Sequence, residues 1–458
     1  MLVPQSAARH PGTTGSDRGH PSMKRTGAPV RPQRLLAASA VLLAGAAALT
    51  GCSGGSGGGA GDGSTTMTLW QNSTTGPGLQ FWKDAAKGFE KVDPGVTIDV
   101  QTVQNEDFDG KLQTAMNSGS APDIFLQRGG GKMQAMVDAG QVKDITDGVT
   151  AATKQVIPSA SFGAESIDGK VYAMPLSVLP SGIWYSKDLF EKAGIDGTPT
   201  TMDELNADIA KLKGAGIDPV ALGAKDAWPA AHWYYNFALR ECSPSVISAA
   251  AKSKTFTDGC WLKAGQDLSA FNATKPFNQG FLTTAAQQGA GSSAGLVANH
   301  KAAMELMGAW DPGVIASLTP DEKPLGDLGW FPFPEISGGN GKPGSILGGV
   351  DGYSCSQNAP KQCVDFLNYI ATTSEQTAYY KAFASPPVNT EAQKAVTEPY
   401  LKDVVATYNK APYVSQWLDT VYGQNVGNAL NVSVVNLLAG KGTAAGIVQA
   451  TNDAAKKG

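Results

Sequence analysis

The chain has 458 residues, 36 of them basic and 40 acidic. The first 51 residues hold six of the basic and one of the acidic side chains, so the remainder carries 30 basic and 39 acidic residues, a net charge of −9. This balance argues against nucleic acid or an anionic lipid surface as a partner, because both require a positive protein surface. Removing those 51 residues leaves 407, too many for one ordinary hydrophobic core and enough for two lobes.

The N-terminal segment is typical of an export signal. An apolar run covers residues 35–49 and follows the basic side chains of Arg31 and Arg34. This run is too short to span a membrane as a mature helix, so we predict a signal peptide over residues 1–51. Met23 is an alternative start, because Lys24 and Arg25 directly after it begin a normal basic region. The rest of the chain has no long apolar run, and we expect no other membrane span.

Residues 49–52 resemble a bacterial lipobox, in which small residues precede a cysteine that is lipidated. Thr50 and Gly51 are small, and Cys52 stands at the lipidated position. The resemblance implies a lipid anchor on Cys52 and a protein held at the extracellular face of the cell membrane. Residues 52–66 are rich in Gly and Ser, as expected for a flexible tether. The alternative is an ordinary secretory signal followed by a chance cysteine.

Strands and helices alternate in the first part of the mature chain. We predict strands at 67–70, 96–100 and 123–126, from their short apolar or alternating patterns. Helical spacing of apolar residues predicts helices at 79–92 and 108–116. This order predicts a largely parallel sheet with helices on both sides. Ligands of such sheets bind beyond the carboxyl ends of the strands, so the loops after Trp70 and Leu126 are candidates.

Further elements follow along the chain. Residues 182–185 are strand-like, and 186–194 form a short helix that ends at a glycine. Thr201 and Glu204 have the spacing of a capping box, which predicts a helix over 205–214. The chain from Glu391 onward is predicted to be mostly helical, with loops at Pro399 and Pro412.

Four cysteines remain after Cys52, and an even number in an exported chain favours disulfides. Three pairings of these four are possible. Proximity in sequence favours Cys242–Cys260 and Cys355–Cys363. The alternative is buried free thiols. We expect no metal site, because His232 and His300 are the only histidines after the leader and neither has zinc spacing to a cysteine pair.

The chain resembles the extracellular solute-binding lipoproteins of bacterial ABC sugar importers, the family that includes maltose-binding protein. The matching stretches occur in the family's order. They lie at residues 70–72, 89–96, 121–125, 172–175 with 184–190, and 301–304 with 308–310. Two positions depart from the family's pattern, Ser186 where Asn is usual and His300 where Gly is usual. Neither position obviously carries a ligand contact, so the prediction of the fold is unaffected.

The resemblance implies an α/β fold like that of the periplasmic binding proteins, with two lobes, a hinge and a ligand cleft between the lobes. We place the N-terminal lobe at 67–178 plus 335–386, and the C-terminal lobe at 179–334 plus 387–458. The crossovers between them are expected near 176–182, 331–335 and 386–390. The implied function is capture of an oligosaccharide for the permease subunits of an ABC transporter, by a monomer that has no cofactor.

A sugar presents a flat apolar face and a rim of hydroxyl groups. Aromatic rings bury the face, and side chains with two polar atoms bind the rim. Trp310 follows a strand-like segment and matches the family tryptophan that stacks on sugar. Trp228 and His232 are four residues apart and can share a helix face. Trp417 forms another pair of this spacing with Tyr413. For each of these residues, packing in the core is the alternative.

Polar candidates stand where strands end. Asn72 follows the first predicted strand, and Gln127 and Arg128 follow the third. Asp351 lies in the small, glycine-rich segment 348–352, where a ligand could approach backbone amides. Ordinary solvation of a loop is the alternative for Asn72, Gln127 and Arg128.

Two other classes of protein are weighed against a sugar-binding protein. Residues 291–295 fit the G-x-S-x-G pattern of hydrolases, but no strand precedes them, and the same pattern occurs in the tether at 51–55. A glycosidase needs two carboxylates across a cleft, and a chain of this size always offers such pairs. A binding protein for a non-sugar solute, such as a peptide, is the second alternative. Within the family, xylo-oligosaccharides are our first expectation for the ligand.

Overall fold

The computed structural model describes residues 64–457. The eleven strands are β1 Thr65–Gln71, β2 Val96–Thr102, β3 Ile124–Gln127, β4 Ser166–Ile167, β5 Lys170–Val171, β6 Met174–Ser186, β7 Asp218–Ala221, β8 Ala302–Gly308, β9 Leu328–Phe331, β10 Ile346–Cys355 and β11 Val414–Ser415. The first nine helices are α1 Gly76–Val92, α2 Asn105–Ser118, α3 Gly130–Asp138, α4 Ala151–Val156, α5 Ser159–Ala164, α6 Lys187–Lys192, α7 Met202–Gly214, α8 Trp228–Glu241 and α9 Pro244–Ser253. The remaining helices are α10 Gly259–Ala273, α11 Ser293–Ala298, α12 Asp311–Leu318, α13 Gln362–Ile370, α14 Thr373–Phe383, α15 Pro399–Lys410, α16 Leu418–Val421, α17 Gln424–Leu438 and α18 Ala444–Ala455.

The predicted signal peptide and the lipidated Cys52 lie outside the described residues. The tether was predicted to extend to residue 66, but β1 begins at Thr65, because Thr65 and Thr66 pair with Val96 and Thr97 of β2. Among residues 64–457, no helix combines the length and apolar character that crossing a membrane requires.

The first five elements follow the predicted order of strands and helices. Phe81, Trp82, Ala85 and Phe89 of α1 are buried, because they recur on one face of the helix. β1 pairs in parallel with both β2 and β3. The carboxyl ends of these three strands therefore meet at one edge, where Asn72 and Arg128 follow them.

The main sheet is mixed, and the prediction of a largely parallel sheet was wrong. Its nine strands include a path in the order β2-β1-β3-β10-β6-β8-β7, with β11 beside β10 and β9 beside β6. The two long strands in the centre, β6 and β10, are antiparallel to each other, and both run antiparallel to a further neighbour. They pair over Met174–Pro180 of β6, whereas β8 and β9 pair with Ser181–Ser186.

Two large hydrophobic cores lie on the two halves of this sheet. One core contains Phe81, Trp82, Phe108 and Phe366, together with Met174 and Val178 from the first half of β6. The other contains Trp233, Trp261 and Phe271, together with Ile183 from the second half of β6. This arrangement is the two-lobed α/β fold that the family resemblance implied, with β6 contributing to both cores.

Several local predictions are confirmed. Thr201 and Glu204 form both hydrogen bonds of a capping box at the start of α7. Both predicted disulfides, Cys242–Cys260 and Cys355–Cys363, are present. The first joins the end of α8 to the first turn of α10, and the second joins the end of β10 to α13.

Two segments differ from the prediction. The glycine-rich segment 348–352 is part of β10 rather than a flexible loop. A Cβ on Gly348 would lie 2.6 Å from the Cα of Pro180, and one on Gly352 would lie 2.6 Å from the carbonyl oxygen of Met174. These glycines thus allow β10 to approach β6. Pro399 begins α15 instead of forming a loop, because proline is well tolerated in the first helical turn. Residues 176–182, where a crossover between the lobes is expected, lie inside continuous β6.

Candidate ligand-binding site

Four rings from three separate segments form an aromatic cluster, consisting of Trp228, His232, Trp310 and Trp417. The imidazole of His232 stacks on Trp417, with ring centroids 4.0 Å apart and an interplanar angle of 23°. Trp228 lies 5.0 Å from His232 and 6.2 Å from Trp310, and Trp310 lies 5.6 Å from Trp417. The structure therefore brings together all four aromatic candidates from the sequence.

Local backbone features position these rings. Trp228 and His232 are on one face of α8, which Pro229 opens in its first turn. Trp310 comes two residues after the end of β8, and its ring lies so close to Gly308 that a Cβ there would clash with it. Trp417 directly precedes α16, and a Cβ on Gly349 of β10 would lie 3.2 Å from its ring. Glycine at 308 and 349 thus provides the space that the two rings occupy.

The aromatic cluster contains polar atoms that the protein leaves unpaired. Within residues 64–457, Nε1 of Trp228 and Nδ1 of His232 are buried and have no hydrogen-bond partner. Burial lowers the pKa of His232 to about 3, although the carboxylate of Asp419 acts in the opposite direction. The imidazole is therefore neutral near pH 7. Buried polar atoms are normally paired, so these two nitrogens are exceptions within the aromatic cluster.

A polar network of six side chains adjoins the aromatic cluster. It consists of Asn72, Asn105, Asp109, Arg128, Lys132 and Asp419. Oδ1 of Asn105 accepts hydrogen bonds from Asn72 Nδ2 at 3.1 Å and from Arg128 at 2.8 Å. Asp109 is paired with Arg128 at 3.4 Å and with Lys132 at 2.6 Å. Lys132 also lies 3.8 Å from Asp419.

The charges of this network stabilise one another. Burial alone would raise the pKa of Asp109, but Lys132 and Arg128 outweigh it and lower the pKa to about 2. Burial raises the pKa of Asp351, and Arg128 partly offsets that rise. Asp109 is therefore ionised at neutral pH, and its two cations are held in fixed positions.

The polar network and the aromatic cluster form one continuous site. Asp419 lies two residues after Trp417, on the short helix α16. Asp351 lies two residues after Gly349 on β10, so both face the same side of that strand. A ligand between Trp417 and Arg128 would therefore be near aromatic rings, cations and carboxylates at once.

The structure does not bring every predicted residue into this site. Gln127 is 2% exposed, and its amide oxygen accepts a hydrogen bond from the backbone N–H of Arg128. Its side chain is thus turned into the protein. Tyr413 precedes β11 and shares no helix with Trp417, so the predicted helical pair does not form.

Sequence reasoning missed Asn105, Asp109, Lys132 and Asp419. A signal was present for the first two, because α2 directly follows the carboxyl end of β2 and Asp109 is in its early turns. Lys132 similarly lies in the first turn of α3, after β3. Nothing in the local sequence around Asp419 indicated that it would face Lys132, since the two are 287 positions apart along the chain.

Two acidic side chains are buried behind Trp310. Glu305 of β8 and Asp311 of α12 are at most 1% exposed, and Ser293 donates a hydrogen bond to Glu305. Burial raises the pKa of Asp311 to about 8, and burial together with Asp311 raises the pKa of Glu305 well above its usual range. Ser293 is the central serine of the G-x-S-x-G pattern. It is fully buried and bonded to an acid, which is not the setting of an exposed nucleophile.

A separate group of side chains has the composition of a metal site. Asp188, His300 and Asp327 each place a ligand atom within 4.8 Å of the others. Asp327 already accepts hydrogen bonds from Ser186 and from the backbone of Asp188. This group lies near the end of β6 and the start of β8, whereas Trp310 follows the opposite end of β8. It is therefore not part of the candidate site.

The chain belongs to the family of bacterial extracellular solute-binding proteins, whose sequence profile matches residues 71–377. A Pyrococcus horikoshii protein named as an ABC transporter extracellular-binding protein is 26% identical over 389 residues, 80% of this chain and 83% of its own. A multiple sugar-binding protein of Streptococcus mutans is 26% identical over 66% of this chain and 71% of its own length. A Brucella abortus binding protein is 28% identical over 198 residues, and the match spans 47% of that relative, about half its length.

Solved structures share the fold. A protein from a study of xylan utilization by the thermophilic bacterium Caldanaerobius polysaccharolyticus superimposes with a TM-score of 0.77 and 26% identity, covering 86% of this chain and all of the other. A chitin oligosaccharide binding protein superimposes with a TM-score of 0.78 over 87% of this chain and 99% of its own, at 23% identity, which establishes the fold alone.

Proposed function

We propose that this protein captures an oligosaccharide between its two lobes and delivers it to the permease of an ABC importer. The ligand we expect first is a xylo-oligosaccharide. The protein acts as a monomer, is held outside the membrane by a lipid on Cys52, and carries out no reaction. The aromatic cluster beside the polar network is the observation that carries the proposal.

The chemistry of the site suits a sugar. The partly exposed indole rings of Trp228 and Trp310 supply apolar faces for pyranose rings. Trp417 is buried beside them and stacks on His232. The buried nitrogens of Trp228 and His232 lack a partner among residues 64–457, and we expect ring hydroxyls to pair with them once ligand binding uncovers them. Arg128, Lys132 and the carboxylates of Asp109 and Asp419 offer donors and acceptors for further hydroxyl groups.

The relatives support the same class of ligand. The Streptococcus mutans relative is named for sugar binding, and the Pyrococcus horikoshii relative is named as part of an ABC transporter. The structural neighbour from the study of xylan utilization supports a xylose-containing oligosaccharide as the first expectation. Binding of a non-sugar solute is the alternative, and it would leave the stacking faces of the aromatic cluster without a purpose.

The test is a thermal-shift screen of the mature protein against xylo-, chito-, malto- and galacto-oligosaccharides, followed by calorimetry with the best ligand. Trp310→Ala should then weaken binding by ~2 kcal/mol or more, roughly 30-fold, because it removes a stacking face. The melting temperature of the free protein should change little, since Trp310 is only half-buried.

Trp233→Ala is the matched control. Trp233 is on the same helix as Trp228, but it is 1% exposed and stacks on Phe271 with centroids 4.8 Å apart. Its loss should destabilise the free protein by ~3–5 kcal/mol and leave the affinity of the folded fraction unchanged. If Trp310→Ala behaved like Trp233→Ala, Trp310 would be a core residue and not a binding residue.

A further inference from the structure

Glu165 has a buried carboxyl group that the protein leaves without a partner. It directly follows α5 and is 0% exposed. Neither of its carboxyl oxygens has a hydrogen-bond partner among residues 64–457. Leaving a buried polar group unpaired costs free energy, so a native protein rarely keeps one unless something else pairs with it.

Two segments of the candidate site approach this carboxyl group. A Cβ on Gly129, next to Arg128, would lie 3.5 Å from Oε2 of Glu165 and 3.0 Å from Nε2 of Gln416, the neighbour of Trp417. A Cβ on Gly352, next to Asp351, would lie 3.3 Å from the carboxyl carbon. The carboxyl group thus lies beside Gly129 and Gly352, which are the chain neighbours of Arg128 and Asp351.

We infer that Glu165 is a further specificity-determining residue of the site, whose carboxyl group binds a hydroxyl group of the ligand. This inference rests on the proposed function, because it takes the ligand to be a sugar. It adds to the site a residue next to Gly129 and Gly352. Neither the sequence around Glu165 nor its exposure indicates a role in binding.

The surroundings of Glu165 favour the neutral form of the acid. Burial and the neighbouring Asp351 both raise its pKa well above the usual range. The cations nearest to Asp351 are Arg128 and Lys132, and both are paired with Asp109. Lys132 also lies beside Asp419. No cation is therefore free to compensate a charge on Glu165 within the part of the chain that the structure describes.

A neutral carboxyl group selects its ligand by hydrogen bonding. It has one O–H donor and one carbonyl acceptor, and a hydroxyl group can pair with both. A ligand carboxylate offers no donor and would be repelled by Asp351 and Asp419. The site should therefore prefer a neutral hydroxylated ligand over an acidic sugar.

The test compares Glu165→Gln and Glu165→Leu with the wild-type protein, using the best ligand from the sugar panel. Glutamine keeps a donor and an acceptor, so its affinity at pH 6 should stay within ~3-fold of wild type. Leucine keeps neither, and its affinity should fall ~10- to 100-fold. Wild-type affinity should decline as the pH rises into the raised titration range of Glu165, whereas the affinity of Glu165→Gln should remain level.

The possible results separate the two proposals. If a sugar binds and Glu165→Leu binds it as tightly as wild type, Glu165 is not a ligand residue. The same conclusion follows if wild type and Glu165→Gln share one pH profile, a comparison that holds even if Glu165→Leu fails to fold. Tighter binding of glucosamine oligomers that Glu165→Gln abolishes would show a charged Glu165 and overturn the inference. If no sugar shifts the melting temperature of wild type, the proposed function is wrong, and so is the role of Glu165 that rests on it.

Discussion

His232 combines a buried, neutral imidazole with a position in the aromatic cluster. Its ring is 4% exposed and stacks on Trp417. An unfolded histidine has a pKa near 6.5, whereas burial lowers that of His232 to about 3. The unfolded chain therefore takes up a proton below pH 6.5 that the folded protein does not accept.

We predict that the free energy of unfolding decreases as the pH falls from 6.5 to 5, by on the order of 2 kcal/mol from His232 alone. His232→Phe should remove this part of the decrease while keeping a ring in the stack. Urea unfolding at pH 5 and 6.5 measures the effect. His300→Asn is the control, because His300 is partly exposed and lies at the other end of β8. An unchanged decrease in His232→Phe would show that His232 is protonated in the folded state.

At this scale the sequence predicted the aromatic residues better than the polar ones. Trp228, His232, Trp310 and Trp417 were predicted from their type and their position beside strands and helices, and the structure brings them together. The polar network could not be predicted in the same way, because an ion pair such as Lys132–Asp419 depends on the packing of distant helices. Gln127 is the opposite case, a polar residue that was predicted to bind ligand. It stands at a strand end, but its side chain is buried.

At the scale of elements, the corner between β8 and α12 holds the buried pair Glu305 and Asp311. Both pKa values are raised by burial, that of Asp311 to about 8. The folded protein therefore holds protons that the unfolded chain releases above pH 4, and stability decreases as the pH rises from about 4 to 8.

We predict that Asp311→Asn makes the protein more stable at pH 8 than wild type and reduces the decrease between pH 5 and 8. The asparagine amide can donate a hydrogen bond to Glu305 without carrying a charge. Unfolding by urea at the two pH values measures this. Asp321→Asn, an exposed acid in the loop after α12, should leave the profile unchanged. A wild-type protein that is equally stable at pH 5 and 8 would contradict the prediction.

The two disulfides are expected to contribute differently to the free energy of unfolding. Cys242–Cys260 spans 18 positions and ties α8 to α10, and Cys355–Cys363 spans 8 positions. In the chain-entropy account, replacing the first pair by serine should lower the free energy of unfolding by about 3 kcal/mol, and replacing the second by somewhat less. Guanidinium unfolding of the two double variants tests this. If replacing Cys355 and Cys363 lowered the free energy of unfolding clearly more than replacing the first pair, strain or packing would determine the stabilisation, and not the entropy of loop closure.

Elements with strong local signals were predicted well from the sequence. The capping box of α7 and the alternation from β1 to β3 are encoded in short stretches. The central strand β10 was not predicted, because Gly348, Gly349 and Gly352 resemble a loop when taken alone. The close approach of β6 explains Gly348 and Gly352, and the ring of Trp417 explains Gly349. Both contacts are properties of the assembled structure.

At the scale of the whole molecule, we propose the two lobes with the boundaries predicted from the sequence, so that α3 and α16 belong to different lobes. Lys132 of α3 then joins the lobes through Asp419 of α16, at 3.8 Å. The exposed side chains of Gln104 and Gln288 make a second link, a hydrogen bond of 2.6 Å. Both contacts would be broken when the lobes separate.

We predict that Asp419→Asn shifts the ligand-free protein toward an open form. The radius of gyration from small-angle scattering should increase, and sugar affinity should fall by roughly 5-fold, as expected for one partly exposed ion pair. Asp453→Asn is the matched control, because Asp453 pairs with Lys456 at the end of a single helix. Identical scattering of the free wild type and Asp419→Asn would show that this ion pair does not hold the lobes together.

The continuity of β6 has a consequence for how the lobes can move. Its 13 residues run without a break from one hydrophobic core to the other, hydrogen-bonded first to β10 and then to β8 and β9. A chain that crosses inside a paired strand cannot swivel about free dihedral angles. The lobes must instead turn by elastic bending and twisting of a ribbon, which limits the angle of opening. Amide protons in the centre of β6 should then exchange with deuterium equally slowly with and without sugar.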